Sequence, residues 1–144
     1  MTSVADILKS KPQASTVHSV APSTSVFDAV RLMADKYIGA LLVMEGEQVV
    51  GIVTERDYAR KVVLMSRESK DTPVSEIMTA DVMFVRPVNT SDECMALMTE
   101  NRMRHLPVME GGKLIGLISI GDLVKNIISE QQFIIAQLEN YISG

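Results

Sequence analysis

The sequence has few of the residues from which disulfides, metal sites and hydrolytic centres are built. Its 144 residues include one cysteine, two histidines and no tryptophan. The single cysteine, Cys94, excludes an intramolecular disulfide, and one cysteine with His18 and His105 does not make a metal site. We therefore expect no metal site and no required cofactor.

The sequence also lacks a basic excess and a long apolar run. Its net charge of −4 argues against a general nucleic-acid-binding protein. No stretch approaches the roughly 18 continuous apolar residues of a membrane-spanning helix, and residues 1–11 contain no apolar signal segment. We expect a cytoplasmic protein that binds neither nucleic acid nor membranes. The hydrophobic fraction of 47% is sufficient for a buried core.

What the sequence does contain is a repeat. Residues 17–63 align without a gap on residues 82–128, at a shift of 65, and twelve of the 47 paired positions are identical. About three identities would be expected by chance from average residue usage. Two copies of one unit predict internal pseudo-symmetry, with equivalent clefts where the copies meet. Function should be sought in those clefts.

Each copy predicts the same order of elements: strand, helix, strand, strand, helix. In the first copy, apolar residues recur at helical spacing from Val26 to Met33, after Ser25 as the N-cap. Apolar runs at 40–44 and 49–53 are joined by a glycine turn, which predicts a hairpin. The second copy repeats these elements at 91–101, 106–109 and 114–118. The predicted fold class is α/β, with two small sheets flanked by helices and related by a pseudo-twofold axis.

A short apolar segment precedes each copy. Residues 4–8 resemble residues 74–78 at a shift of 70, and the polar stretch 64–73 reads as a linker. We therefore divide the chain into residues 1–73, the first unit with its lead-in and linker, and residues 74–144, the second unit with an extended C-terminal helix.

The C-terminal segment predicts one long helix, from about residue 122 to residue 143. Five of its apolar residues fall near one face: Leu123, Ile127, Ile134, Leu138 and Tyr141. The helix is longer than one unit needs, so we expect part of it to cover another surface. Together with two apolar helices per copy, it leaves more apolar surface than one module can hide, which predicts a homodimer.

Both copies carry the pattern Ser/Thr-x-x-Asp directly after the hairpin. The residues are Thr54 and Asp57 in the first copy, and Ser119 and Asp122 in the second. This is the capping-box pattern of a helix start, which needs no ligand. Its recurrence at equivalent positions favours binding as well, because such an aspartate can accept hydrogen bonds from both ribose hydroxyls and a helix N-terminus favours an anion. Capping and binding are compatible.

The repeated unit resembles the cystathionine-β-synthase-type (CBS) domain. The closing motif Gly-x-x-Ser/Thr-x-x-Asp stands at 51–57 and 116–122. The short sequence motifs at 77–79 and 104–108 are also common in that family. The segment 54–61 is similar to bacterial proteins that consist of one CBS pair. The resemblance implies a regulatory, signal-transducing module that binds AMP, ADP, ATP, NAD(H) or sometimes S-adenosylmethionine between its two units. It also implies a disc-like homodimer and leaves a protein target unidentified.

The resemblance places the ligand contacts along the hairpin and the closing motif of each copy. In the first copy these residues are Val17, Ile38, Gly39, Ala40, Thr54, Arg56 and Asp57. In the second copy they are Val82, Arg104, His105, Leu106, Pro107, Ser119, Gly121 and Asp122. Arg56 stands where the second copy has Gly121, so the two sites are chemically unequal. Read without the resemblance, Arg104 and His105 would be a solvated charge pair at the start of a strand.

Two other functions remain open. A purely structural dimerisation module would keep the fold without a ligand. An enzyme would need a convergent acid, base and nucleophile, and the pair Cys94 and His105 has no third group. Cys94 stands where the first copy has Ala29 on an apolar helix face, which predicts a buried, inert thiol. The sequence contains no glycine-rich phosphate-binding loop of the Rossmann or Walker type.

Overall fold

A computed structural model describes residues 2–11 and 17–143. They form two compact units: residues 17–83 make the first unit, and residues 2–11 with residues 84–143 make the second unit. Each unit contains a small β-sheet flanked by helices, as the repeat predicted. Within the described ranges, no helix combines the length and the apolar character needed to cross a bilayer.

The first unit is built on a three-stranded sheet. Its strands, in sheet order, are β1 (Ser19–Val20), β2 (Ala40–Glu45) and β3 (Gln48–Thr54). The strand β1 runs parallel to β2, and β2 runs antiparallel to β3. Four helical segments accompany the sheet: α2 (Val26–Lys36), α3 (Glu55–Tyr58), a π-helical turn over Ala59–Val63 and a 3-10 turn over Val74–Glu76.

The helix α2 follows directly from its local sequence. The Ser25 hydroxyl accepts a hydrogen bond from the Asp28 amide at 3.1 Å, which satisfies one free N–H of the first turn. Val26 and Met33 lie on the face that packs into the core. The helix ends at Tyr37, whose left-handed backbone has a φ of 56° and stops the helix without a glycine.

The second unit repeats this arrangement at a shift of 65. Its elements are α4 (Ser91–Asn101), β4 (His105–Glu110), β5 (Lys113–Ser119) and α5 (Ile120–Ser143), with α1 (Val4–Ser10) packed against them. Leu106 lies opposite Ile118, and the register shifts after Val108, as the first-unit hairpin does after Val43. In the part of the second unit that the structure describes, the predicted first strand is reduced to one parallel bridge between Val85 and Val108.

The short lead-in segments pack in the units opposite to those assigned from the sequence. The Val4 amide donates to the Asn89 carbonyl at 2.8 Å, so α1 belongs to the second unit. The Val74 amide donates to the Thr24 carbonyl at 2.8 Å, and Val74 lies in the first-unit core. The compact units therefore differ from the division into residues 1–73 and 74–144. Because the two segments share one apolar pattern, the sequence does not reveal which unit each one completes.

A glycine in each hairpin allows the lead-in segment to approach the sheet. A Cβ atom on Gly116 would lie 2.7 Å from Cδ2 of Leu8. At the equivalent position, a Cβ atom on Gly51 would lie 2.9 Å from Cγ of Met78. These distances are too short for a methyl group, so the first residue of the closing motif is glycine for packing reasons.

The helix α5 leaves most of its apolar side chains exposed. Of its 24 residues, all of them described, Leu123 alone is buried. The exposed fraction lies between 44% and 86% for Val124, Ile128, Ile134, Ile135, Leu138, Tyr141 and Ile142. These seven residues, which we call the α5 stripe, recur at spacings that place them along one side of the helix. The prediction that this helix covers another surface therefore concerns the α5 stripe.

Candidate functional site

Both closing motifs form reciprocal helix caps. The Thr54 amide donates to Asp57 Oδ2 at 2.9 Å, and the Asp57 amide donates to the Thr54 hydroxyl at 3.2 Å. The same two hydrogen bonds join Ser119 and Asp122, at 2.9 and 3.1 Å. The capping-box prediction is therefore confirmed in both copies. Each cap fixes one carboxylate at the first turn of a helix, where the helix dipole favours a negative charge.

In the first unit the carboxylate of Asp57 pairs with a lysine of the π-helical turn that directly follows α3. Lys61 Nζ lies 3.3 Å from Asp57 Oδ1 and also donates to the Ile77 carbonyl at 2.9 Å. This lysine therefore links the closing motif to the lead-in segment of the same unit.

In the second unit the partner comes from a distant part of the chain. Lys11 Nζ lies 2.9 Å from Asp122 Oδ2 and donates to the Leu117 carbonyl at 2.8 Å. Burial raises the pKa of Asp122, but hydrogen bonds from the Ser119 amide and from Lys11 outweigh that effect, so the pKa lies below its ordinary value. Sequence reasoning missed Lys11, because it lies 111 residues from Asp122 and belongs to no motif.

The residues at the start of the first strand of each hairpin lie beside the closing motif. The Ile120 amide donates to the Arg104 carbonyl at 2.8 Å, and His105 is the strand partner of Ser119. In the first unit the Glu55 amide donates to the Gly39 carbonyl at 3.1 Å. Each unit therefore brings its hairpin start and its closing motif together.

His105 is held in the neutral form by its surroundings. Burial lowers its pKa below the ordinary value, and the charges of Lys11 and Arg104 lower it further, while Asp122 opposes the change. A neutral imidazole can accept or donate a hydrogen bond without adding a charge. Next to Asp122, His105 is therefore a polar but uncharged neighbour at neutral pH.

The predicted site residues differ in how accessible they are. Exposed residues are Arg56, Arg104 and Gly121. Partly buried residues are Val17, Ile38, Gly39, Thr54, Asp57, Val82, His105, Ser119 and Asp122. Buried residues are Ala40, Leu106 and Pro107. Val82, which the sequence grouped with the second copy, lies in the first unit with Val17.

A cavity of about 250 Å³ lies beside Asp122 in the second unit. It is formed by the end of α1 and the first turns of α5, and its lining consists of Ile7, Ser10, Lys11, Asp122, Lys125, Asn126 and Ser129. The α5 residues among them stand three, four and seven positions after Asp122 and so share one helix face. Asp122 is the one residue of the predicted set in this lining. The others come from a helix pairing that spacing alone does not reveal.

Cys94 has the environment that its position predicted. It is fully buried, and burial raises its pKa to about 11. A thiol with so high a pKa is protonated at neutral pH and therefore a poor nucleophile. Among residues 2–11 and 17–143, no three His, Cys, Asp or Glu side chains are grouped so that they could hold a metal ion.

Comparison with known proteins identifies the repeated unit. The family model of the CBS domain matches residues 4–64 and 74–129. A CBS-domain protein of Burkholderia ambifaria MC40-6, described as a candidate signal-transduction protein, is 64% identical, with a TM-score of 0.88 over 90% of this chain and 96% of that chain. The structure of CBSX2 in complex with AMP is 28% identical, with a TM-score of 0.73 over 91% and 99% of the two chains.

Curated relatives give the same result. The mitochondrial CBS domain-containing protein CBSX3 of Arabidopsis thaliana is 39% identical over 150 residues, which is 99% of this chain and 73% of that protein. The chain spans only 21% of the length of several longer relatives. Since the two matches to the family model together cover most of the sequence, the chain belongs to the CBS domain family and carries the domain twice.

Proposed function

We propose that this protein is a non-catalytic regulatory module that binds an adenine nucleotide at its closing motifs. The observation that carries the proposal is the pair of capped aspartates, Asp57 and Asp122. In both, Oδ2 completes the cap. Oδ1 of Asp122 accepts no hydrogen bond from the described residues, and Oδ1 of Asp57 has only the more distant Lys61. The AMP complex of the related CBSX2 supports an adenosyl ligand.

Each class of site residue would contact a different part of the nucleotide. The carboxylates of Asp57 and Asp122 would accept hydrogen bonds from the ribose hydroxyls, which are strong when the acceptor is charged. The exposed guanidinium groups of Arg56 and Arg104 would meet phosphates. Buried residues such as Leu106 would offer main-chain groups to the adenine edge. AMP, ADP, ATP and NAD(H) all carry these features.

Replacing either aspartate by asparagine tests the ribose contact. Hydrogen bonds to charged groups contribute about 1.5–3 kcal/mol, so Asp57→Asn or Asp122→Asn should weaken AMP binding roughly tenfold to a hundredfold at the altered site.

Calorimetric titration of the wild type with AMP, ATP, NAD and NADH in parallel identifies the preferred nucleotide. A saturating ligand should also raise the melting temperature, because it binds only the folded state.

The compound 2′-deoxy-AMP is the matched control. It should bind the wild type more weakly than AMP does, but should lose little further affinity in the asparagine variants, because the hydroxyl it lacks has already lost its charged partner. If both variants bind AMP as tightly as the wild type, the carboxylates are helix caps only. If no adenosyl compound binds, a structural dimerisation module becomes the better description.

We further propose that a second copy of this chain covers the α5 stripe. A standard interface buries about 800 Å² on each partner, and seven large apolar side chains that are 44% to 86% exposed supply an area of that order. The stripe runs along one side of α5 from Val124 to Ile142, as a helix-to-helix contact requires. Light scattering should therefore give twice the chain mass of 15.8 kDa at micromolar concentration.

A charge on the stripe should separate the two copies. Ile134→Glu places a carboxylate in the proposed contact and should give a monomer. Phe133→Glu is the matched control, because Phe133 is similarly exposed but lies on another side of α5. A wild-type monomer, or equal effects of the two variants, would contradict the proposed interface.

A further inference from the structure

One oxygen of the Asp122 carboxylate is already occupied by donors of the protein itself. Oδ2 accepts hydrogen bonds from the Ser119 amide and from Lys11 Nζ, each at 2.9 Å. Oδ1 accepts none from the residues that the structure describes. A carboxylate oxygen offers about two lone-pair sites, so Oδ2 is saturated. A diol that places one hydroxyl on each oxygen must therefore displace a donor from Oδ2.

Lys11 is the donor that can leave. The Ser119 amide is part of the helix cap, so its hydrogen bond to Asp122 supports the first turn of α5. The Lys11 side chain is flexible and 29% exposed, so its ion pair is only partly removed from water. Ion pairs of that kind contribute little to stability and are readily exchanged.

An acceptor for the displaced lysine lies one turn further along α5. Asn126 follows Asp122 by four residues, which places the two side chains on one helix face, about 5–6 Å apart at Cβ. Oδ1 of Asn126 is buried and has no hydrogen-bond partner within residues 2–11 and 17–143. Such an oxygen is costly to bury without a donor. Lys11 lines the same cavity of about 250 Å³, so its ammonium group has room to move.

The first unit has a different residue at this position. At the shift of 65, Asn126 corresponds to Lys61, which is itself the ion-pair partner of Asp57. The first unit therefore has a lysine where the second unit has an acceptor. A lysine that exchanges between a carboxylate and an amide oxygen is thus confined to the second unit.

We propose that Lys11 is an autoinhibitory side chain, which holds Asp122 in the free protein and moves to Asn126 Oδ1 when a diol takes both carboxylate oxygens. The proposal rests on the proposed function for the identity of that diol, which is the ribose of an adenosyl ligand. Lys11 directly follows α1, so ribose binding at Asp122 would change the contact between the end of α1 and α5.

Titration with adenosine, followed by backbone amide NMR of the full chain, tests the displacement. Adenosine is uncharged, so attraction between lysine and phosphate does not contribute. Lys11→Met should strengthen adenosine binding about fivefold at Ser119 and leave it unchanged at Thr54, because no ion pair then has to be broken. The gain should be smaller for 2′-deoxyadenosine, which lacks one hydroxyl of the diol and can bind Oδ1 alone.

Lys125→Met is the matched control for the loss of a positive charge. Lys125 also lines the cavity, but adjacent residues of a helix do not face each other, so it stands to one side of Asn126. This variant should bind adenosine as the wild type does. An equal gain in Lys125→Met and Lys11→Met, or no gain in Lys11→Met, would overturn the proposal while the proposed function stands.

Asn126→Leu tests the second acceptor. It should weaken adenosine binding about threefold at the second unit, because the displaced ammonium group loses its buried partner. In the Lys11→Met background the same change should have no effect on binding. Equal effects of Asn126→Leu in the two backgrounds would show that Lys11 does not move to Asn126.

A ligand-free measurement separates the lysine exchange from nucleotide binding. Asp122→Asn removes the charge that holds Lys11, so the side-chain carbonyl signal of Asn126 should differ between Asp122→Asn and the double variant Asp122→Asn with Lys11→Met. If it differs and no adenosyl compound binds, the exchange stands and the proposed function is wrong. If the signal is the same in both variants, the exchange is wrong.

Discussion

At the scale of single residues, the two motif aspartates form the same helix cap but pair with lysines from different parts of the chain. Asp57 and Asp122 cap equivalent helices with nearly the same distances. Asp57 pairs with Lys61, four residues further along the chain, whereas Asp122 pairs with Lys11 from the other end of the chain. The ion pair of Asp122 therefore depends on tertiary structure, and acid should disrupt it.

The stability of the protein should depend on the ionisation of Asp122. Its pKa is lower in the folded protein than its ordinary value, so the carboxylate stabilises the fold above its unfolded-state pKa of about 3.9. That contribution is lost as the pH falls through the lower pKa of the folded state. The free energy of unfolding in urea should therefore be higher for the wild type than for Asp122→Asn at pH 6. This difference in free energy should shrink by pH 3. In a Lys11→Met background, the stability difference that Asp122→Asn makes should be smaller at pH 6. A stability difference that stays constant from pH 6 to pH 3 would show that the ionisation of Asp122 does not contribute to stability.

At the scale of elements, the lead-in segments explain the glycine of each closing motif. Leu8 of α1 packs over Gly116 of β5, and Met78 packs over Gly51 of β3. The same contact is made twice, by segments that share an apolar pattern but not a secondary structure, since one is an α-helix and the other a 3-10 turn. The two units therefore share the packing of an apolar side chain on the hairpin glycine, although only the second unit uses an α-helix to provide that side chain.

Adding a methyl group at Gly116 should destabilise the fold. Overpacking of a well-packed site costs about 1–3 kcal/mol, and Gly116→Ala should fall in that range because its Cβ would meet Leu8. The double variant Gly116→Ala with Leu8→Ala should lose less stability than the sum of the two single changes. Gly121→Ala is the control, since its Cβ would meet only Ser119 at 3.6 Å, and it should stabilise slightly. If the losses in free energy of unfolding of the two single variants simply add in the double variant, the packing of α1 on β5 is contradicted.

At the scale of the whole molecule, each compact unit needs a segment from outside its own repeat. Val74 and Ile77 are fully buried in the first-unit core, although they follow the linker in the chain. Val4 and Ile7 are buried in the second unit, although they stand at the start of the chain. Neither half of the sequence contains all the side chains of one core.

Fragments of the chain should show that the first-unit core depends on residues 74–77. A fragment of residues 17–83 keeps the complete first-unit core, whereas a fragment of residues 1–73 lacks Val74 and Ile77. Units of this size bury too little surface to tolerate such losses. We expect cooperative urea unfolding, followed by circular dichroism, for residues 17–83 and a weaker or absent transition for residues 1–73. Equal stability of the two fragments would show that the lead-in contacts are dispensable.

The sequence by itself determined the repeated elements and the caps. Helix periodicity, glycine turns and the Ser/Thr-x-x-Asp pattern act over a few residues, so spacing alone located α2, α4 and both hairpins. The capping boxes at Thr54 and Ser119 were predicted for the same reason. The position of Cys94 on an apolar face likewise predicted its burial, because the face of a helix is a local property.

The tertiary structure decided which distant segments meet. The pairing of Lys11 with Asp122 joins residues 111 apart, and no local pattern specifies it. The compact units also differ from the division at residue 73 that the sequence suggested, because either lead-in apolar pattern suits either sheet. The cavity beside Asp122 is lined by the end of α1 and the first turns of α5, which are more than 100 residues apart in the chain. Local periodicity determines elements, whereas long-range packing determines which side chains share a site.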